Sequence, residues 1–304
     1  MLRNPRPYSD YLLRFCLHKL PQSGIFSKQN LVKVTMPQKI YNYLAEHLDR
    51  LQSMGRYSFT WSELITSLDY SDLALKKSLH RLVRKGRLIV VQRGFYIIVP
   101  PEYSAHGIMP PLLFIDDYMS FLQKQYYVGL LSAAAMHGAA HQQPQEYFVV
   151  IPKPPRRPIS KKDVRINFLV KNEIPECGVE ERKTDTGKVH VSGPELTAYD
   201  LFYYLERVGG LARSITILEE LSEKLNLQML ADLVQETTVL APWQRLGFVL
   251  EYLLEKEEAA EVIFKQIRKQ KIYRIPLNAA KNKSGFPSQN RWKIIENHGM
   301  ENES

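Results

Sequence analysis

Cysteine is scarce in this chain of 304 residues: there are two, Cys16 and Cys177. They lie far apart, which excludes a disulfide-stapled scaffold, and neither sits in a ligand-spaced cluster. Both are read as free thiols in a reducing compartment. Long apolar runs are missing as well. No stretch of about 18 apolar residues offers a membrane span, and Tyr11-Leu12-Leu13 is cut short by Arg14 and His18, so there is no signal-peptide core. Also absent are a phosphate-binding glycine loop, a Gly-x-Ser-x-Gly nucleophile elbow and a Cys/His pair in catalytic context. These absences remove the commonest nucleotide-dependent, hydrolytic and membrane readings.

What is present in excess is positive charge, and it is localised. The formal net charge is +9. Residues 1–35 carry six Lys and Arg against one acid, and residues 36–100 carry ten against five. From residue 101 onward, 25 cations meet 26 acids. A basic front and a near-neutral remainder suggest that only the front part meets a polyanion. The length suits two cores. The expected division is an N-terminal extension without defined fold (1–35), a DNA-binding module (36–101), a larger domain (110–297) and a tail (298–304). Met36-Pro37 opens the well-patterned part and is read as an alternative start.

Residues 36–101 have the order of a winged helix-turn-helix. Gln38 to Ser53 places Ile40, Tyr43, Leu44, His47, Leu48 and Leu51 at helical spacing, with His47 read as a packed core histidine. Tyr57-Ser58-Phe59 is a short strand. Thr60 and Glu63 are spaced as a capping box, which starts a helix running to Leu68. Ser71 can cap the next helix, Asp72 to Lys85, with Asp72 favourably placed in its first turn. At about 100° per residue, Leu75, Leu79, Leu82 and Val83 fall on one side of that helix, and Lys77, His80, Arg81 and Arg84 on the other. Leu73 interrupts the basic side and Lys76 blurs its edge. Two β-branched and aromatic runs then flank Gln92-Arg93-Gly94 as a hairpin with Arg93 at its tip. The candidate DNA contacts are Lys76, Lys77, His80, Arg81, Arg84, Lys85 and Arg93. A solvated helix face is the bland alternative.

Beyond a Pro/Gly-rich linker at 100–111, the pattern predicts helices over Ile115–Gln125 and Val128–Ala140. Strands follow at Tyr147–Ile151, Val164–Val170 and Lys188–Val191, and then a helix over Pro194–Glu206. From Leu211 to Arg268 the chain reads as helical throughout, with breaks near Asn226, Ala241-Pro242 and Glu255. Two short strands close it, Ile272–Leu277 and Trp292–Glu296. The fold class is therefore mixed α+β with a mostly helical back half. The loop Pro152–Lys162 carries Lys153, Arg156, Arg157, Lys161 and Lys162, a secondary contact for nucleic acid or a partner, or simply a solvated loop.

Two patterns bear on chemistry. His137 and His141 are four apart, but a zinc-protease helix needs a Glu after the first His, and Gly138 stands there. Packing and capping are preferred, and no metal or cofactor is expected. Asp163 with Glu181 and Lys183 has the residue types of a metal-dependent nuclease. Glu-x-Lys is common in charged loops, and Gly178, Thr184 and Gly187 make this one look like a turn. The nuclease is kept as an alternative only.

Four stretches then resemble one family: Arg93-Gly94-Phe95-Tyr96-Ile97-Ile98-Val99-Pro100-Pro101-Glu102, the run from Tyr127 to Gln145, Pro194-Glu195-Leu196-Thr197-Ala198-Tyr199-Asp200-Leu201, and Asn290-Arg291-Trp292-Lys293. Residues 36 to about 297 resemble the AbiEi-type antitoxins of type IV toxin–antitoxin (abortive infection, phage defence) systems. The resemblance implies a non-enzymatic cytoplasmic protein of a bacterium or archaeon. Its front domain would bind promoter DNA and repress its own operon. The rest would counter a nucleotidyltransferase toxin without a stable complex. A plain winged-helix regulator with a ligand-sensing domain is the other alternative. Operator, oligomeric state and toxin-countering surface are not legible.

Overall fold

The computed structural model describes residues 38–139, 146–161 and 164–298, with side chains from residue 43 onward. The extension 1–35, Met36-Pro37, His141, Lys162, Asp163 and most of the tail lie outside the described residues, as does Cys16.

The chain opens with α1 (Gln38–Ser53), β1 (Ser58–Thr60), α2 (Trp61–Ser67), α3 (Asp72–Arg84), β2 (Leu88–Gln92) and β3 (Phe95–Ile98). These follow the sequence order helix, strand, helix, helix, hairpin. Local signals set the ends. Glu63 N donates to Thr60 Oγ1 at 3.1 Å and Thr60 N to Glu63 Oε2 at 2.7 Å, the capping box read from the sequence. Ser71 stands at the N-cap of α3 but makes no side-chain capping bond. Gly86, at φ +71°, turns the chain out of α3 in a conformation that strains any L side chain. The sheet order is β1-β3-β2, all antiparallel.

β3 faces two ways. Ile98 joins Leu44, Leu48, Leu64, Leu79 and Leu82 in a core beneath the three helices. Phe95 and Ile97, on the alternate face, belong instead to a core with Tyr118, Met119, Val149 and Phe168. The segment expected as a linker takes part in that core, since Ile108 and Met109 are fully buried. The described residues from 38 to 298 accordingly form one compact unit. The reason is chemical: the hairpin is apolar on both faces, so both must be covered.

After two 3₁₀ turns at Pro101–Tyr103 and Pro111–Leu113 come α4 (Ile115–Phe121), β4 (Tyr127–Val128), α5 (Leu130–Met136), β5 (Glu146–Ile151), β6 (Ile159–Lys161), β7 (Val164–Val170), β8 (Val179–Thr184), β9 (Gly187–Ser192) and α6 (Pro194–Tyr203). α7 (Leu211–Ser222), α8 (Leu227–Glu236), α9 (Leu240–Tyr252), α10 (Glu257–Ile267), β10 (Ile275–Pro276) and β11 (Ile294–Ile295) complete it. Strands β4 to β9 form one six-stranded mixed sheet, order β6-β7-β5-β4-β9-β8. One face carries α4 and the hairpin core; the other carries the helices α5 to α10.

Several expected boundaries move. The helix expected from Val128 starts at Leu130, because Tyr127 and Val128 are a strand held between β5 and β9. α4 ends four residues before the expected Gln125, with Gln123 at φ +52°. Glu181–Lys183, read as a turn, lies within β8, paired in register with β9. Ala241-Pro242 does not break the helices. Pro242 sits in the first turn of α9, where its missing N–H costs nothing, and the break falls at Thr237–Val239.

Candidate nucleic-acid interface and a buried lysine cluster

α3 separates its two sides as its spacing predicts. Leu75, Leu79 and Leu82 are at most 3% exposed. Lys76, Lys77, His80, Arg81, Arg84 and Lys85 are all exposed. Lys76 Nζ lies 3.8 Å from Asp72 and 5.3 Å from the centre of the Trp61 ring at the start of α2. Trp61 N in turn donates to Gly94 O at 2.8 Å. The exposed side of α3, the start of α2 and the hairpin tip are thus linked by direct contacts. Arg93 at that tip is exposed. His47 is half-buried beside Arg50 rather than in the core, with its pKa lowered by burial and by Arg50 and Arg56.

The basic loop does not offer all its cations. Arg156 is turned inward: its guanidinium donates to Gln92 Oε1 of the hairpin and to the Tyr118 hydroxyl at 2.8 Å. It is therefore a tie between the hairpin and the larger sheet. Lys153, Arg157 and Lys161 are exposed.

The nuclease residues are not gathered into a site. Glu181 is paired with Lys188 at 2.5 Å, and Lys183 stands exposed opposite Lys188 in the β8–β9 register. Asp163 is outside the described residues. Among the described residues no three His, Cys, Asp or Glu converge as metal ligands.

His137 is buried, and both ring nitrogens are engaged. Arg182 donates to Nδ1 at 2.8 Å, which leaves Nε2 carrying the proton toward Ser192 O at 2.7 Å. Burial lowers its pKa. The imidazole closes the end of α5 onto β9, which is the packing reading, and neither nitrogen is left for a metal.

Sequence reasoning missed a buried ion pair. Lys171, just after β7, is 5% exposed and Asp200, in α6, fully buried. Lys171 Nζ donates to Asp200 Oδ1 at 2.6 Å and to the Tyr127 hydroxyl at 3.2 Å; Tyr127 donates to Asp200 Oδ2 at 2.6 Å. The ammonium also lies 4.7 Å from the Tyr199 ring centre and 5.5 Å from that of Tyr203. Burial and the Asp200 charge hold the Tyr127 phenol well above its usual pKa. A signal was available: an aspartate in the middle of the otherwise apolar Leu196–Phe202 stretch needs a buried counter-charge. A cleft of about 430 Å³ opens above this cluster, lined by Tyr199, Tyr203, Glu173, Glu176 and Glu236. Glu236 accepts the backbone N–H groups of Glu176 and Cys177. The free Cys177 thiol beside it is pushed up to about 12 by burial and by that carboxylate.

No described helix is long and apolar enough to cross a membrane. No curated protein matches the chain in sequence. Among solved structures, it is similar to the crystal structure of the RV2827C protein from Mycobacterium tuberculosis, with a TM-score of 0.60 at 16% identity, over 84% of this chain and 90% of that one. At that identity the likeness concerns the fold. Residues 127–253 match the family model of the AbiEi antitoxin C-terminal domain. That span runs from β4 to the end of α9 and includes the Tyr127–Lys171–Asp200 cluster and the His137 contact with β9. Over residues 127–253 the chain is therefore similar to the C-terminal domain of the AbiEi antitoxins of toxin–antitoxin systems.

Proposed function

We propose that this protein is an antitoxin with two non-enzymatic activities in one cytoplasmic chain. Residues 36–101 bind the promoter of its own operon and repress it. The remainder, from about residue 110, antagonises a nucleotidyltransferase toxin without forming a stable complex. In the DNA complex, α3 lies in the major groove with Lys77, His80 and Arg84 facing the bases and phosphates. Lys76, Arg81 and Lys85 flank them, and Arg93 reaches phosphate at the hairpin tip. Lys153, Arg157 and Lys161 add a secondary contact. The observation that carries this reading is the two-sided α3: its apolar side is buried while every cation of the opposite side is exposed.

The experiment uses the full chain. A cut at residue 101 would strip Phe95 and Ile97 from the core around Tyr118 and Met119. Co-expression with the adjacent toxin gene and a promoter reporter compares wild type with Lys77→Ala/Arg84→Ala. The expected result is lost repression with retained rescue from the toxin. Full repression by the variant would overturn the DNA assignment, and absence of rescue by wild type would overturn the toxin assignment.

A further inference from the structure

Leu73 is 64% exposed, among the most exposed large apolar side chains in the described residues. It sits in the first turn of α3. At about 100° per residue, Lys77, His80 and Arg84 fall within about 40° of it, at offsets of four, seven and eleven. Leu73 is therefore the N-terminal member of the same stripe and lies near its midline, whereas Lys76 and Arg81 lie to either side. An exposed leucine contributes nothing to the core and leaves apolar surface in water. In the middle of a cationic stripe it has neighbours that attract a polyanion, which brings its isobutyl group against whatever that polyanion presents. Duplex DNA presents one apolar group in the major groove, the C5-methyl of thymine, and residues near the start of a recognition helix approach the base edges.

We propose that Leu73 is a specificity-determining residue that reads a thymine methyl in the major groove. The inference rests on the proposal that α3 binds duplex DNA. The cations fix the helix on phosphates and on acceptor edges of bases; Leu73 selects thymine at one end of the contacted stretch. The contact removes methyl and isobutyl surface from water, so its worth is that of roughly one methyl group, about fourfold in affinity.

The test uses the full chain and duplexes it selects from random sequence, with each thymine of the selected site replaced in turn by deoxyuridine. That change removes only the methyl group. For wild type, one or two replacements should weaken binding by about fourfold. Leu73→Ala should bind the thymine and uracil duplexes equally and keep the wild-type dependence on salt. Leu73→Met, which restores an apolar tip, should recover part of the discrimination. Alanine favours helix and the position is exposed, so neither variant disturbs folding, and circular dichroism checks this. Equal binding of all substituted duplexes by wild type, or undiminished discrimination by Leu73→Ala, overturns the Leu73 assignment while leaving α3 as a DNA-binding helix. Failure of wild type to select any duplex overturns the DNA reading itself, and this assignment with it.

Discussion

The Lys171 ammonium lies 2.6 Å from Asp200 Oδ1, with both side chains buried between the sheet and α6. The pair is completed by the Tyr127 hydroxyl, which bonds both partners. Removing one partner leaves a desolvated charge without compensation. Lys171→Met is expected to destabilise the full chain by about 3–5 kcal/mol. Lys171→Met/Asp200→Leu, which removes both charges, should recover most of that loss. Urea unfolding measures both; a single variant as stable as wild type would show that the pair carries no such penalty.

The exposed side of α3 predicts a different signature. Lys77→Ala and Arg84→Ala should each reduce the slope of log affinity against log salt by about 1 for duplex DNA. Both side chains are exposed, so the unfolding free energy should move little, by no more than about 0.5 kcal/mol. Unchanged affinity and slope in both would remove α3 from the interface.

His137 gives the protein a sensitivity to acid. Burial, the largest cause, and the neighbouring Arg182 and Lys224 lower its pKa, although its bond to Ser192 O opposes them. Below the ordinary value of 6.5 the unfolded chain takes up a proton that the folded chain resists. Stability is fully present above about pH 6.5 and is lost as pH falls from there through the lowered value. His47 shifts in the same direction and adds to the effect. Denaturant titrations from pH 7.5 to 5.5 should show this decline, with a shallower decline in His137→Gln. An identical slope in that variant would assign the sensitivity elsewhere.

Gly247 marks the closest packing in the back half. A Cβ built there would sit 2.0 Å from the ring of Trp292, which is fully buried and donates to Glu251 Oε2 at 2.7 Å. The ring cannot retreat without breaking that bond. Gly247→Ala should destabilise by about 1–3 kcal/mol despite alanine's better helix propensity. Thermal unfolding should show a lowered Tm; a raised one would mean that Trp292 can repack.

Much of the front module was legible because its signals are local. Thr60 and Glu63 stand three residues apart, and the spacing of Leu75, Leu79 and Leu82 against Lys77, His80 and Arg84 needs nothing beyond one helix. The same holds for the mixed α+β class and for the sequence stretches resembling AbiEi antitoxins. Tertiary structure decided the rest. Tyr127-Val128 continues an apolar pattern that also suits a helix, and only the edges offered by β5 and β9 make it a strand. Arg156 looks like its exposed neighbours in sequence, yet Gln92 and Tyr118, 64 and 38 residues away, turn it inward. Tyr127 and Asp200 are 73 residues apart. Periodicity and capping report on neighbours within a turn or two, whereas buried pairs form between segments that meet only once the sheet is assembled. Local order was therefore written in the chain, and the burial of charge and the sharing of β3 between two cores were settled by packing.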